Sequence, residues 1–250
     1  QPLLLTRHHV AYADKRYEST AATTAYNTFA PGGRDQEPAL AKITREQIHG
    51  SKSKAPHPRG SELLTAIDLG RTVVLEADNA SAWCNQVEQC RRRVILLRPG
   101  IVLIEDTAVL TTPETGIQTW NSLSPWDSSS PQEVSITMKK SVLDLQVITP
   151  RSQPVRRHVN SVHRTKTPFS IVPIHAATIS LPAAKKHRII TLISNRPTDA
   201  APPSIEYLGS DPSAPIGLEI KQGEITWTFY FSAAELAKIS DLQTDGTWGF

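Results

Sequence analysis

A chain of 250 residues, 39% hydrophobic and 20% charged, is long enough to bury a core and ordinary enough in composition for a globular protein. Its formal charge of +3 is small and scattered, which argues against a nucleic-acid footprint. No run approaches the ~20 apolar residues of a membrane-spanning helix, and no targeting leader opens the sequence, which begins at Gln1 and reads as a processed or excised piece.

The elements follow from punctuation and β-branched content. Nineteen prolines and twelve glycines cut the chain into short pieces rich in Val, Ile, Thr and Leu. Residues 1–14 read as the middle of a strand-rich region, and Gly32-Gly33 as a tight hairpin turn. A short helical turn is expected within 40–48 and a polar loop over 50–60. Residues 71–77, 94–97 and 101–105 read as strands, the last two flanking the turn Arg98-Pro99-Gly100. There Pro sets φ and Gly supplies a positive one, so two apolar runs become a hairpin buried on both faces.

Farther along, polar loops are expected over 121–133, 151–168 and 196–214. Between them 142–148 and 188–194 read as strands. In the first, Leu143, Leu145 and Val147 alternate with Val142, Asp144, Gln146 and Ile148, giving one clearly apolar face. A second hairpin joins 217–221 to 225–231 through Gln222-Gly223. A capping box, Ser232 with Glu235, predicts a short helix over 232–240. These elements together predict an all-β protein, an antiparallel β-sandwich of two or more sheets spanning 1–250 as one domain, with long loops and one or two short helices.

Familiar catalytic and nucleotide-binding motifs are absent. The eight histidines show no HxxxH or i,i+2 spacing that would make a metal site. His158 and His163 belong to a basic segment that could touch an anion or simply be solvated. The run Arg91-Arg92-Arg93 fits either a solvated or salt-bridged strand face or a surface for an anionic polymer. Trp120 and Trp126 flank a polar stretch, where they could stack on sugar rings or anchor the loop from within. Cys84 and Cys90, if on one extended strand, stand about 20 Å apart, too far for a disulfide, which favours free thiols.

The order of segments adds to this. Tyr12-Ala13-Asp14 is followed by 24–36, which runs through Tyr26, Asn27, Thr28, Gly32, Gly33 and Gln36. Next come Ala77-Asp78 with Trp83 close behind, and then the Arg-led hairpin 91–107 ending in Glu105-Asp106-Thr107. This order resembles the C-terminal half of the heparinase II/III-like polysaccharide lyases, by motif over about 1–125 and by strand pattern beyond. The resemblance implies a β-sandwich that follows an (α/α) toroid, the toroid being absent from this chain. It implies β-elimination at a uronic acid, in which a Tyr or His removes a proton and neighbouring groups neutralise the developing charge. Carried over, it makes Tyr26 and Asn27 the catalytic candidates, and Gln36, Trp120, Asn121 and Trp126 the substrate contacts.

The sequence also departs from the family's pattern. Tyr26 stands where the family has His, Thr24 where some members have a second, and no His occurs near Trp120-Asn121. Asp78 alone matches the family's zinc ligands, so the zinc site is expected to be lost and no cofactor is implied. The expectation is the sandwich portion of a lyase, periplasmic or secreted, inactive alone. Its partners would be an acidic polysaccharide and the toroid, with no nucleic acid or membrane span. The alternative is a non-catalytic carbohydrate-binding or structural sandwich module.

Overall fold

The computed structural model describes residues 27–33, 62–166, 169–208, 216–231, 237–239, 242–244 and 248–249. The chain divides into two compact units, Gln1–Thr198 and Asp199–Phe250, where a single domain was expected.

The first unit is an antiparallel sheet of ten strands. It contains β1 (Thr28–Pro31), β2 (Glu62–Asp68), β3 (Thr72–Asp78), β4 (Val87–Leu97) and β5 (Ile101–Ser122). After these come β6 (Asp127–Ser130), β7 (Glu133–Thr137), β8 (Ser141–Thr149), β9 (Val155–Lys166) and β10 (Phe169–Pro197). The strand order is β2-β3-β4-β5-β10-β8-β7-β6, with β1 added to β5 and β9 to β10.

Two strands organise this unit. β5 has 22 residues and β10 has 29, and each changes neighbours along its length. Beside β5, β4 covers 101–110 and β1 covers 116–119, while β9 and then β8 flank β10. Register shifts in β10 between Leu181 and Lys186 mark irregularities of the kind at which long strands bend. One face of the sheet holds the main core, in which Trp83, Trp120, Trp126, Ile104, Leu145 and Ile179 are buried together. The opposite face is buried as well along its centre, by Val74, Ile95, Leu103 and Leu192. The all-β sandwich expected from the sequence is the fold observed.

Two of the three expected hairpins form, while the residues that would follow the turn at Gly32-Gly33 lie outside the described ones. Leu97 pairs with Ile101 around Gly100, whose φ is 84°. A side chain there would meet the Asn195 carbonyl at 2.8 Å, so both the turn and the packing require glycine. In the second unit β11 (Ser204–Leu208), β12 (Ile216–Gln222), β13 (Ile225–Phe231) and β16 (Trp248–Gly249) form a four-stranded sheet. Its hairpin turns at Gly223, and Leu218, Ile220, Phe229 and Phe231 are buried. β14 (Ala237–Ile239) and β15 (Leu242–Thr244) make a separate two-stranded pair.

Several loop and helix expectations give way. Residues 155–166 form β9 rather than a loop, because Val155, Val159, Val162 and Thr165 supply the β-branched content that pairing along β10 exploits. β5 runs into the expected 121–133 loop as far as Ser122, and that stretch also holds β6. The 196–214 stretch holds β11. The helix expected over 232–240 is replaced at Ala237–Ile239 by strand, since one capping box is a weak force for so short a helix against pairing with Leu242–Thr244. A 3-10 helix at Ala80–Gln86, not expected, is the one helical element among the described residues. It places Cys84 in a helix and Cys90 in β4, so the single-strand premise for their separation does not hold. The segments expected over 1–14, 40–48 and 50–60 lie outside the described residues.

Candidate functional site

The candidate site is built where β1 meets β5. Asn27 begins this seam just before β1, and both ends of its residue are held. Its side-chain Oδ1 accepts the Asn121 backbone N–H at 2.7 Å, and its backbone carbonyl accepts Arg92 Nη1 at 2.7 Å. Phe29 packs two residues on, because Gly116, the partner of Pro31, leaves room diagonally across the pair. A Cβ on Gly116 would stand 2.8 Å from Phe29 Cζ. The ring meets His187 edge-on at 6.1 Å, and His187 Nε2 is tied to the Glu114 carbonyl at 2.7 Å.

Arg92 is fixed in turn. Asp106, its register partner on β5, accepts Arg92 Nε at 2.7 Å and Nη2 at 2.8 Å, a bidentate fork that fits guanidinium geometry. The same carboxylate accepts Gln118 Nε2 at 2.7 Å, and Gln118 Oε1 accepts the Trp120 indole N–H at 3.1 Å. The Arg92 guanidinium also lies 5.7 Å from the centre of the Trp120 ring. Burial works against the charge on Arg92, but Asp106 outweighs it and raises the guanidinium's pKa above its ordinary value. Cys90 shares this neighbourhood. Burial, aided by the Asp106 charge, pushes its thiol up to about 12, so it is a packed, protonated thiol rather than a nucleophile.

On the other face of the same strands, Arg93 donates to Glu76 at 2.9 and 3.1 Å and to Glu105 at 2.6 Å. Arg188 joins through Glu105 at 2.8 Å. Arg92 and Arg93 are therefore consumed by internal carboxylates, and the salt-bridged reading of the arginine run holds for them. Arg91, 41% exposed, reaches Asp78 at 3.4 Å and Glu76 at 3.8 Å.

Asp78, the one match to the family's zinc ligands, is engaged otherwise. Its Oδ1 accepts the Ala80 N–H at 2.8 Å at the start of the 3-10 helix and approaches the Cys90 N–H at 3.4 Å, while Oδ2 faces Arg91. A carboxylate committed to two amides and a guanidinium does not fit a zinc ligand. No group of three His, Cys, Asp or Glu side chains gathers among the described residues.

Trp120 and Trp126 are 2% and 3% exposed and belong to the core cluster. Of their two readings, the structure places both rings as anchors from within, with no face open to a sugar; their apolar bulk contributes more inside than exposed. Asn121 is buried beside them. Tyr26 and Gln36 lie outside the described residues. Among the other predicted residues, the structure brings Asn27, Trp120 and Asn121 into one network and leaves Asp78 apart. Reasoning from sequence missed Arg92, Asp106 and Gln118. The register signal existed, since a hairpin turning at 98–100 sets Arg92 opposite Asp106.

Neither a protein-family model nor a curated protein matches the sequence. The fold, however, is that of known lyases. A mutant heparan sulfate lyase, HepC of Pedobacter heparinus, matches with a TM-score of 0.67 at 10% identity over 91% of this chain and 34% of its own. The unmutated HepC matches with a TM-score of 0.64 at 12% identity, over 88% and 33%. A heparinase III structure matches with a TM-score of 0.60 at 14% identity, over 91% and 33%. The chain thus spans about a third of the length of the solved lyases it matches. The resemblance to heparinase-type lyases read in the sequence is met in the fold.

Proposed function

We propose that this chain is the β-sandwich portion of a polysaccharide lyase acting on uronic-acid-containing glycans by β-elimination. The observation that carries the reading is the heparinase III fold over about 90% of the chain. In this reading Tyr26 supplies a phenolic acid or base. Asn27, its Oδ1 already committed to Asn121, turns its amide N–H toward the substrate carboxylate as charge develops. Gln36 borders the substrate, while the buried Trp120, Asn121 and Trp126 act indirectly by holding the strand against which Asn27 is set. No zinc takes part. The remaining catalytic groups come from a helical toroid supplied by another segment or polypeptide, and the compartment is periplasmic or secreted, where such glycans are met. No helix among the described residues is long and apolar enough to cross a membrane.

A non-catalytic carbohydrate-binding or structural module is the second reading, favoured by the internal neutralisation of Arg92 and Arg93, which leaves neither to offset charge developing on a substrate. The test is to incubate the 250-residue chain with alginate, heparin, heparan sulfate and hyaluronan. Ultraviolet absorbance of the unsaturated product is followed in parallel with affinity electrophoresis. The expected result is retardation on at least one acidic polysaccharide without product. Turnover by the chain alone would overturn the division of the site, and failure to be retarded on any of them would leave a purely structural module.

A further inference from the structure

The four-stranded sheet of the second unit has one buried face, filled by Leu218, Ile220, Phe229 and Phe231. Side chains alternate along a strand and register partners share a face, so the pairings set three rows on the other side. The first row is Leu208, Gly217 and Tyr230, and the second is Glu206, Glu219 and Thr228. Lys221 and Thr226 follow in the third. The second and third rows are polar, as a face in water should be. The first departs from that pattern.

Gly217 explains how Tyr230 sits. The register of β12 with β11 and with β13 is unbroken, and the φ of Gly217 is not positive, so neither a bulge nor the backbone calls for glycine. Space does. A Cβ there would stand 2.8 Å from Leu208 Cβ and 3.3 Å from Tyr230 Cε1. The ring therefore leans across the place of the missing side chain and remains partly exposed. A ring laid down on a sheet turns a face outward, and a glycine within a strand is a place where a ligand can come close.

The charges beside the ring are set against one another. Lys221 Nζ lies 2.5 Å from Glu219 and 3.9 Å from Glu206. Two carboxylates against one ammonium leave a single negative charge, which repels a polyanion. The carboxylates and the Thr228 hydroxyl stand one row from the ring, about 7 Å along the strands, where they can bond the hydroxyls of a ligand that lies over Tyr230.

We propose that this face of the second unit binds an uncharged saccharide. One pyranose stacks its apolar C–H face on Tyr230, and its hydroxyls or its neighbour's bond to Thr228, Glu219 and Glu206. The ligand is not the acidic polysaccharide of the proposed function, and the inference stands apart from that reading. A proline-rich peptide fits less well, since such segments dock in grooves lined by several aromatic rings. Among the described residues of β11, β12 and β13, Tyr230 is the one aromatic on this face.

Affinity electrophoresis of the full 250-residue chain on hydroxyethylcellulose, galactomannan and dextran tests it, with alginate and a proline-rich peptide for contrast. The wild type should be retarded on at least one of the three neutral polysaccharides. Tyr230→Ala should weaken that binding on the order of tenfold, as truncation of an aromatic anchor does. Tyr230→Phe keeps the ring and should stay within about threefold of the wild type, and Thr228→Ala should lose about threefold by removing one hydroxyl. Lys140→Ala, exposed in the first unit, should change nothing. Circular dichroism checks that each variant folds, and if Tyr230→Ala does not, Thr228→Ala carries the decision. No retardation of the wild type on any neutral polysaccharide overturns the site. So does a folded Tyr230→Ala that binds as the wild type does, or, failing that variant, a Thr228→Ala without effect. Binding of the peptide and of no saccharide overturns the ligand class. Retention on alginate that Tyr230→Ala leaves unchanged belongs to the proposed function, while its loss in that variant overturns the assignment to an uncharged sugar.

Discussion

The β4–β5 hairpin and the β2–β3 hairpin belong to one sheet yet invert the usual placement of residues. In the β4–β5 hairpin charged groups are inside: Arg93, Glu105 and Asp106 are buried and paired across the strands, Arg93 also reaching Glu76 on the inner strand of the other hairpin. At the end, apolar groups are outside. Leu63 is 64% exposed and Leu69 53%, and five of the six exposed large hydrophobics lie on β2, β3 or the turn between them. Position in the sheet decides both outcomes. A central strand has neighbours on either side that supply counter-charges, so ions can be taken from water at tolerable cost. An end strand has one neighbour, and its apolar residues stay in water unless something covers them.

Breaking the centre should therefore cost far more than altering the end. Asp106→Ala removes the acceptor of three hydrogen bonds and strands Arg92, so urea unfolding should show a loss of about 3–5 kcal/mol. A loss below 1 kcal/mol would mean that solvent or another group takes over Arg92. Gly116→Ala presses a methyl into the Phe29 ring, and overpacking of this kind costs about 1–3 kcal/mol. Its effect should centre on β1, seen as amide-exchange protection lost at Phe29 and Ala30 before it is lost in β4.

The thiol gives a pH test of the same interior. The folded pKa of Cys90 is raised to about 12 from its ordinary value of 9.0, so its contribution is intact below 9. As pH rises past 9 the unfolded thiol ionises while the folded one keeps its proton. Stability should thus fall between about pH 9 and 12. Cys90→Ala should remove that part of the slope, and a thermal-denaturation series against pH that looks the same in both proteins would contradict the assignment. The smallest effect is expected at Arg91→Ala, whose partners are long and partly solvated. It should cost under about 1 kcal/mol and shrink further in high salt.

Much of this was legible before the fold. The apolar runs at 94–97 and 101–105, with Pro and Gly between them, announced the central hairpin, and the alternation at 142–148 announced β8. β9 was not legible, because its polar and basic residues follow no clear period and its pairing with β10 comes from tertiary context. The helix expected over 232–240 failed for the converse reason, a good local signal at whose end Ala237–Ile239 pair as a strand instead. At the site, Asn27 and Asn121 were named from the resemblance, and they do meet. The two tryptophans were named for the same site, but a sequence cannot say which way an aromatic faces when a polar segment surrounds it. Arg92 was hidden by its neighbours, since successive residues of an arginine triplet point to opposite faces and only register tells which carboxylate each one meets.

The pairing of Thr28 with Thr119 carries a consequence for how the molecule is assembled. The central hairpin closes across three residues, whereas the strand that brings Asn27 into place must close a loop of about 90, and closing so long a loop is entropically costly before any contact is made. The seam is thus a topologically remote contact of the sheet, as the far end of the β5–β10 pairing is, and it is completed on a scaffold that its neighbours can form without it. Whatever Asn27 does is available only to a chain whose distant parts have already found one another.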